Sequence, residues 1–141
     1  MAKKIIYTTA EGGVAVVHPT GEVADLNVLA RQVVPAGLAY QIVEESAIPT
    51  DRTFRAAWVQ DAPGHVGEDL AKAKEVGHEI RRAKRNEEFA PHDEVIAKQI
   101  PGASAEEAEA AREEIRTRYE AIQTAIEGAA DTATIKTELG L

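Results

Sequence analysis

The texture of the chain changes abruptly near residue 60, and that change limits the fold more than any single motif. Before it, Val, Ile and Thr are interspersed with Gly and Pro; after it, Ala, Glu, Lys and Arg dominate. β-Branched residues suit strands, whereas alanine and straight-chain charged residues suit helices. The simplest reading is a small β-rich α+β module over residues 1–60, followed by a helical hairpin with a short C-terminal helix over residues 68–141. The segment Asp61-Ala62-Pro63-Gly64-His65-Val66-Gly67 carries the turn-forming residues of a connection. Charge divides at the same place. Residues 1–60 hold five basic and six acidic residues, and residues 61–141 hold eleven basic and eighteen acidic ones, within a total of -8.

The expected fold class is therefore α+β: a small antiparallel β-sheet with short helices, then an antiparallel helical hairpin. Lys4–Thr8 and Val14–His18 flank Ala10-Glu11-Gly12-Gly13 and read as a β-hairpin, because paired glycines supply positive φ at little steric cost. Leu38–Val43 is a third strand. Val23, Leu26, Leu29 and Ala30 share helical spacing, which predicts a helix over 22–33. Ile48–Trp58 reads as a capped helical turn, with Thr50 or Asp51 as the cap and Phe54, Ala57 and Trp58 on one face.

In the second half, Leu70, Ala73, Val76, Ile80 and Ala83 form an apolar stripe. Ala90 precedes Pro91, which predicts a break or kink at 89–91. Val95, Ile96 and Ile100 continue the stripe to Pro101-Gly102. Ser104 and Glu107 fit a capping box for the next helix. Its seam is Ala108, Ala111, Ile115, Tyr119, Ile122 and Ile126. That seam over 104–127 can pack within the chain or mediate a homo-oligomer. Gly128 ends the helix, and Asp131 or Thr132 caps a last one holding Ile135 and Leu139.

Several function classes lose support on composition. The chain has no cysteine, so disulfides, thiolate metal sites and cysteine nucleophiles are excluded. No apolar run approaches the roughly 20 residues of a membrane span, and Ile5-Ile6-Tyr7 is too short for a signal-peptide core. The acidic balance argues against sequence-independent binding to nucleic acid or an anionic membrane. The expectation is a soluble protein of a reducing compartment.

No catalytic, cofactor or metal residues are expected. His78-Glu79 opens like a zincin helix, but Arg82 stands where the second histidine belongs and offers no lone pair. His92-Asp93-Glu94 points three ways on a helix. His18 and His65 have no partner visible in the sequence. Ser46 lacks a nucleophile-elbow pattern and Ser104 is a cap. Gly64–Gly67 lacks the Lys and Ser/Thr of a phosphate loop. The basic run Arg81-Arg82-Ala83-Lys84-Arg85 is flanked by Glu75, Glu79, Glu87 and Glu88 and reads as a solvated, ion-paired helix face.

The most distinctive constellation is Arg52, Arg55 and Trp58. Its plainer reading is that Phe54 and Trp58 seal the small sheet while the two arginines point to water. Its functional reading is a protein-docking patch, since Trp and Arg are enriched at interface hot spots.

The run Ile48-Pro49-Thr50-Asp51-Arg52-Thr53-Phe54-Arg55-Ala56-Ala57-Trp58, with Ile5–Thr8, Gly12–Pro19, Val33-Val34-Pro35, Tyr40 and Ile42-Val43 before it, resembles a family of small proteins encoded by tailed phages and prophages. The resemblance covers roughly residues 3–89 and becomes generic afterwards. In organisation, members are similar to tail-fibre-assembly and tail-accessory proteins. The resemblance implies a non-enzymatic accessory protein, tail-associated or an assembly factor, whose partners are other phage proteins. It implies residence in the host bacterial cytoplasm during infection or incorporation in the virion. The alternative it leaves open is a host-directed protein that inhibits a bacterial factor. It supplies no catalytic residue to transfer.

Overall fold

Ile5 and Ile6 are neighbours on one strand, and both are completely buried. Successive strand side chains point to opposite faces, so the sheet that holds them must be covered on both sides. The computed structural model of the protein, which describes residues 2–20, 25–98 and 104–141, shows how. Strands β1 (Lys3–Thr8), β2 (Val14–Val17) and β3 (Tyr40–Glu44) form an antiparallel sheet in the order β2-β1-β3. Ile5 sits opposite both Val17 and Ile42. That face is covered by helix α1 (Leu26–Val33), through Ala30, Leu26 and Leu29, and by Val34 just after it. Ile6, paired with Val16, faces the other way onto Trp58 and Val66. These belong to a second antiparallel pair, β4 (Trp58–Ala62) and β5 (His65–Glu68).

The expected β-hairpin and third strand are present, the latter displaced to Tyr40–Glu44. The helix expected over 22–33 is α1, with the Asp25 side chain accepting from the Asn27 N–H at 2.9 Å. Val23 lies outside the described residues. Two expectations are corrected. The segment 61–67 is no plain connection but the turn and strands of the β4–β5 hairpin, with Gly64 at φ +79° in the tight turn. What turns it into sheet is the burial of Val66 beside Trp58. The segment 48–58 supplies only one short 3-10 turn, Arg55–Ala57, before Trp58 starts β4.

The chain divides into two compact units, Met1–Lys72 and Ala73–Leu141. The second is built from α2 (Leu70–Lys98, whose first turn belongs to the first unit), α3 (Ala105–Glu127) and α4 (Thr132–Leu139). Helices α2 and α3 form an antiparallel hairpin. Lys74 donates to the Glu127 carbonyl at 2.8 Å, Arg118 to Glu88 at 2.8 Å, and Arg112 pairs with Asp93 at 2.9 Å. Ser104 and Asp131 cap α3 and α4 by accepting from Glu107 and Thr134, at 3.1 and 2.8 Å. Ile100 and Pro101-Gly102 lie outside the described residues.

Of the break or kink expected at 89–91, the break does not occur: α2 is helical throughout Leu70–Lys98, Pro91 included. Proline removes one backbone hydrogen bond from a helix interior. Here the flanking turns are held against α3, by Glu88 on one side and Asp93 on the other, and tertiary packing outweighs local propensity.

The buried line on α2 is also different from the stripe expected. It is Ala73, Gly77 and Arg81, while Ala83 is exposed. A Cβ at Gly77 would lie 2.8 Å from Ile135 Cγ2, so the absent side chain is what lets α4 approach α2. Ile126 and Ile135, both fully buried, meet there. On α3 the seam is buried at Ala108, Ile115, Tyr119 and Ile126. It is buried within the single chain, which leaves a charged face of α3 exposed.

Candidate functional site

A tight turn brings the two arginines of the docking candidate together. The Asp51 carboxylate accepts from the Thr53 N–H at 3.0 Å and the Thr53 hydroxyl at 2.6 Å, which turns the chain before the 3-10 turn. Backbone bonds from Arg55 to the Arg52 carbonyl and from Ala57 to the Phe54 carbonyl complete it. The Arg55 guanidinium then stacks on the Trp58 ring, 4.4 Å from its centroid, with that of Arg52 at 6.0 Å. A guanidinium over an indole face is attracted by the ring quadrupole.

The three residues are thus brought together, but they play unequal parts. Trp58 is 1% exposed and packs with Ile6, Val14 and Val66, so it offers no surface of its own. Phe54 is buried as well. The surface presented is that of Arg52, exposed, and Arg55, half-buried. Burial, and then the neighbouring charge of Arg52, lower the Arg55 pKa. The side chain stays cationic at any physiological pH. Trp58 is a rigid base that holds one of two adjacent positive charges in place.

The other residues singled out by sequence scatter. His65 pairs through Nδ1 with Asp61 across the β4–β5 turn, and that contact holds the Asp61 carboxyl below the usual carboxylate range. His78 is half-buried on α2, its Nδ1 without a hydrogen-bond partner; burial, then Arg81, lowers its pKa. Asp93, beside His92, is engaged by Arg112 at 2.9 Å. Ser46 lies exposed in the short 3-10 turn Glu45–Ala47. Among the described residues no three His, Cys, Asp or Glu side chains group as metal ligands. Among the described residues, Asp61 is the one titratable residue lining a depression of about 490 Å³ between Thr8, Gln41 and Gln60.

The basic run on α2 corrects its reading as a solvated face. Arg82 is exposed, but Arg81 is 5% exposed on the interior line with Ala73 and Gly77. Of the flanking acids, Glu88 pairs across to Arg118 on α3. The signal was the four-residue spacing Ala73, Gly77, Arg81, which places two small residues and an arginine on one face. The larger apolar residues Val76 and Ile80 concealed it. Nearby, burial and then the Glu88 carboxylate push the Tyr119 hydroxyl up to about 12, and Tyr119 and Arg118 together hold Glu88 low.

Comparison with protein-family models, curated proteins and solved structures finds no match. Among the described residues, no helix is long and apolar enough to cross a membrane.

Proposed function

We propose that the protein is a non-enzymatic phage accessory protein, a tail-associated minor virion component or a tail or tail-fibre assembly factor, acting by protein–protein binding. The observation that carries the reading is the Arg52–Arg55 pair held on Trp58, in the segment that bears the phage-family resemblance. Two adjacent guanidiniums, one of them pre-ordered on an aromatic ring, suit the carboxylates of an acidic partner surface, because less side-chain freedom is lost on binding. The partner is then another phage protein. The location is the host bacterial cytoplasm during infection, with incorporation in the particle as the further step. Neither nucleic acid nor a membrane is a partner in this reading. A homo-oligomer through residues 104–127 would have to use the charged face of α3.

Quantitative mass spectrometry of purified particles tests this. A fixed copy number per particle makes the protein a virion component, and absence despite expression leaves an assembly factor. Replacing Arg52 and Arg55 together with Ala should weaken capture of the phage partner while leaving the unfolding midpoint nearly unchanged. The net charge of -8 favours a second reading, a host-directed protein that covers a basic patch on a bacterial factor. Recovery of a host protein and no phage protein from infected-cell lysate would select it.

A further inference from the structure

Arg81 is the one charged side chain buried in either core among the described residues. Its Nε has no hydrogen-bond partner, nor has that of Arg85 one turn later. Among the described residues neither guanidinium makes an ion pair; Glu109 and Glu113 of α3 are committed to Arg112 and Arg116, and Glu88 of α2 to Arg118. Burying part of a guanidinium without an ion pair is unfavourable. The Arg81 pKa is lowered by burial first and by Arg85 and Arg82 next, with the Glu127 carboxylate acting in the opposite direction.

The two side chains line an open groove of about 400 Å³ between α2 and α3, with Glu113, Arg116, Glu120 and Gln123 opposite. Arg116 is already held by Glu113 at 2.7 Å and by Glu109 at 3.2 Å. Gln123 donates its amide to Glu127 at 3.1 Å. What remains in the groove without an ion pair is Arg81 with Arg85, the latter 6.0 Å over the Phe89 ring. Glu120 lines the same groove without pairing with either.

We infer that this groove binds a phosphate-class oxyanion, with Arg81 and Arg85 as its principal ligands. Guanidiniums present planar forks of donors that match oxygens of phosphate two at a time. A dianion offsets two guanidiniums at once, whereas a carboxylate offsets one, and the groove already holds carboxylates that leave this pair alone. Glu120 opposes the anion and keeps the affinity modest. The site lies wholly within Ala73–Leu141 and stands independently of the docking role of Arg52 and Arg55.

The test is titration of the full chain with inorganic phosphate against sodium chloride at matched ionic strength. It is read by the arginine Nε–H resonances and by the thermal midpoint. A saturable shift of the Arg81 and Arg85 resonances, with a rise in midpoint beyond that given by chloride, is expected. Arg81→Met, which keeps the volume, should abolish both. Glu120→Gln should tighten binding by about threefold or more, since a like charge facing the anion is removed. Should Arg81→Met fail to fold, Arg85→Gln and Glu120→Gln carry the test, and they must move the affinity in opposite directions. Glycerol 3-phosphate tells a site that accepts an esterified phosphate from one that takes the free ion; binding of either supports the proposal. A response equal to that of chloride, a stronger response to acetate than to phosphate, or an unchanged affinity in Glu120→Gln would overturn it.

Discussion

The two units of this protein solve the burial problem differently. Met1–Lys72 surrounds one central strand with apolar side chains on both faces: Ile5 against α1, Ile6 against Trp58. Its charges stay outside, and the arginine nearest its core lies on the face of Trp58. Ala73–Leu141 buries no large apolar side chain of α2 among the described residues. Its interior line there is Ala73, Gly77 and Arg81, and the bulk comes from Ile115, Tyr119 and Ile126 of α3 and from Ile135 and Leu139 of α4. The first unit depends on filling space with large residues. The second depends on leaving space for close approach, and it draws titratable groups into its interior. The first core should therefore be sensitive to truncation and indifferent to pH. The second should be sensitive to added volume and to alkali.

The largest effect expected is that of Trp58→Ala, which removes the cover from Ile6, Val14 and Val66. Truncation of a buried Trp costs about 3–5 kcal/mol. Hydrogen exchange should show protection lost first in residues 3–17 and 58–68. Retained protection there would mean that the β4–β5 hairpin contributes little to the first core.

Gly77→Ala comes next and sharpens the contrast by its sign. At an exposed helix position this change adds about 1 kcal/mol of stability. Here the new Cβ would meet Ile135 Cγ2 at 2.8 Å, and overpacking costs about 1–3 kcal/mol. Urea unfolding should show net destabilisation; a stabilised variant would show that α4 yields without penalty.

A smaller effect follows from Tyr119. Its folded pKa, raised from 10.0 to about 12, exceeds the unfolded value, so the folded state holds the proton more tightly. Its contribution is intact below pH 10 and disappears as pH rises towards 12. Thermal midpoints measured up to pH 12 should fall with an alkaline step that Tyr119→Phe lessens. An identical profile in the variant would place the alkaline sensitivity elsewhere.

The smallest is Arg55→Ala. A partly exposed cation–π contact contributes about 0.5–1 kcal/mol, so the unfolding midpoint should barely move. A loss comparable to that of Trp58→Ala would make Arg55 part of the core and remove the basis for treating it as a docking residue.

The sequence by itself determined the features written within a few neighbouring residues. The Gly12-Gly13 hairpin, the Ser104 cap, a cap at Asp131 or Thr132, the stop at Gly128 and the periodicity of α3 all rest on local backbone geometry or on spacing along one helix. These need no knowledge of what lies across the molecule. The α+β class follows from them, because strand-forming and helix-forming texture occupy different halves of the chain.

Tertiary structure alone decided three things. It made 61–67 a strand pair, because Val66 is buried beside Trp58. It carried α2 through Pro91, because α3 grips the helix on both sides. It chose the face of α2 to be buried, putting Gly77 and Arg81 inside where periodicity favoured Val76 and Ile80, because α4 could approach only over a residue without a side chain. Each outcome depends on the shape of a partner element distant in sequence. The candidate sites divide the same way: Arg52, Arg55 and Trp58 could be singled out from composition and spacing, but only packing shows that Trp58 is a buried base and that Arg81 lies on the interior line of α2.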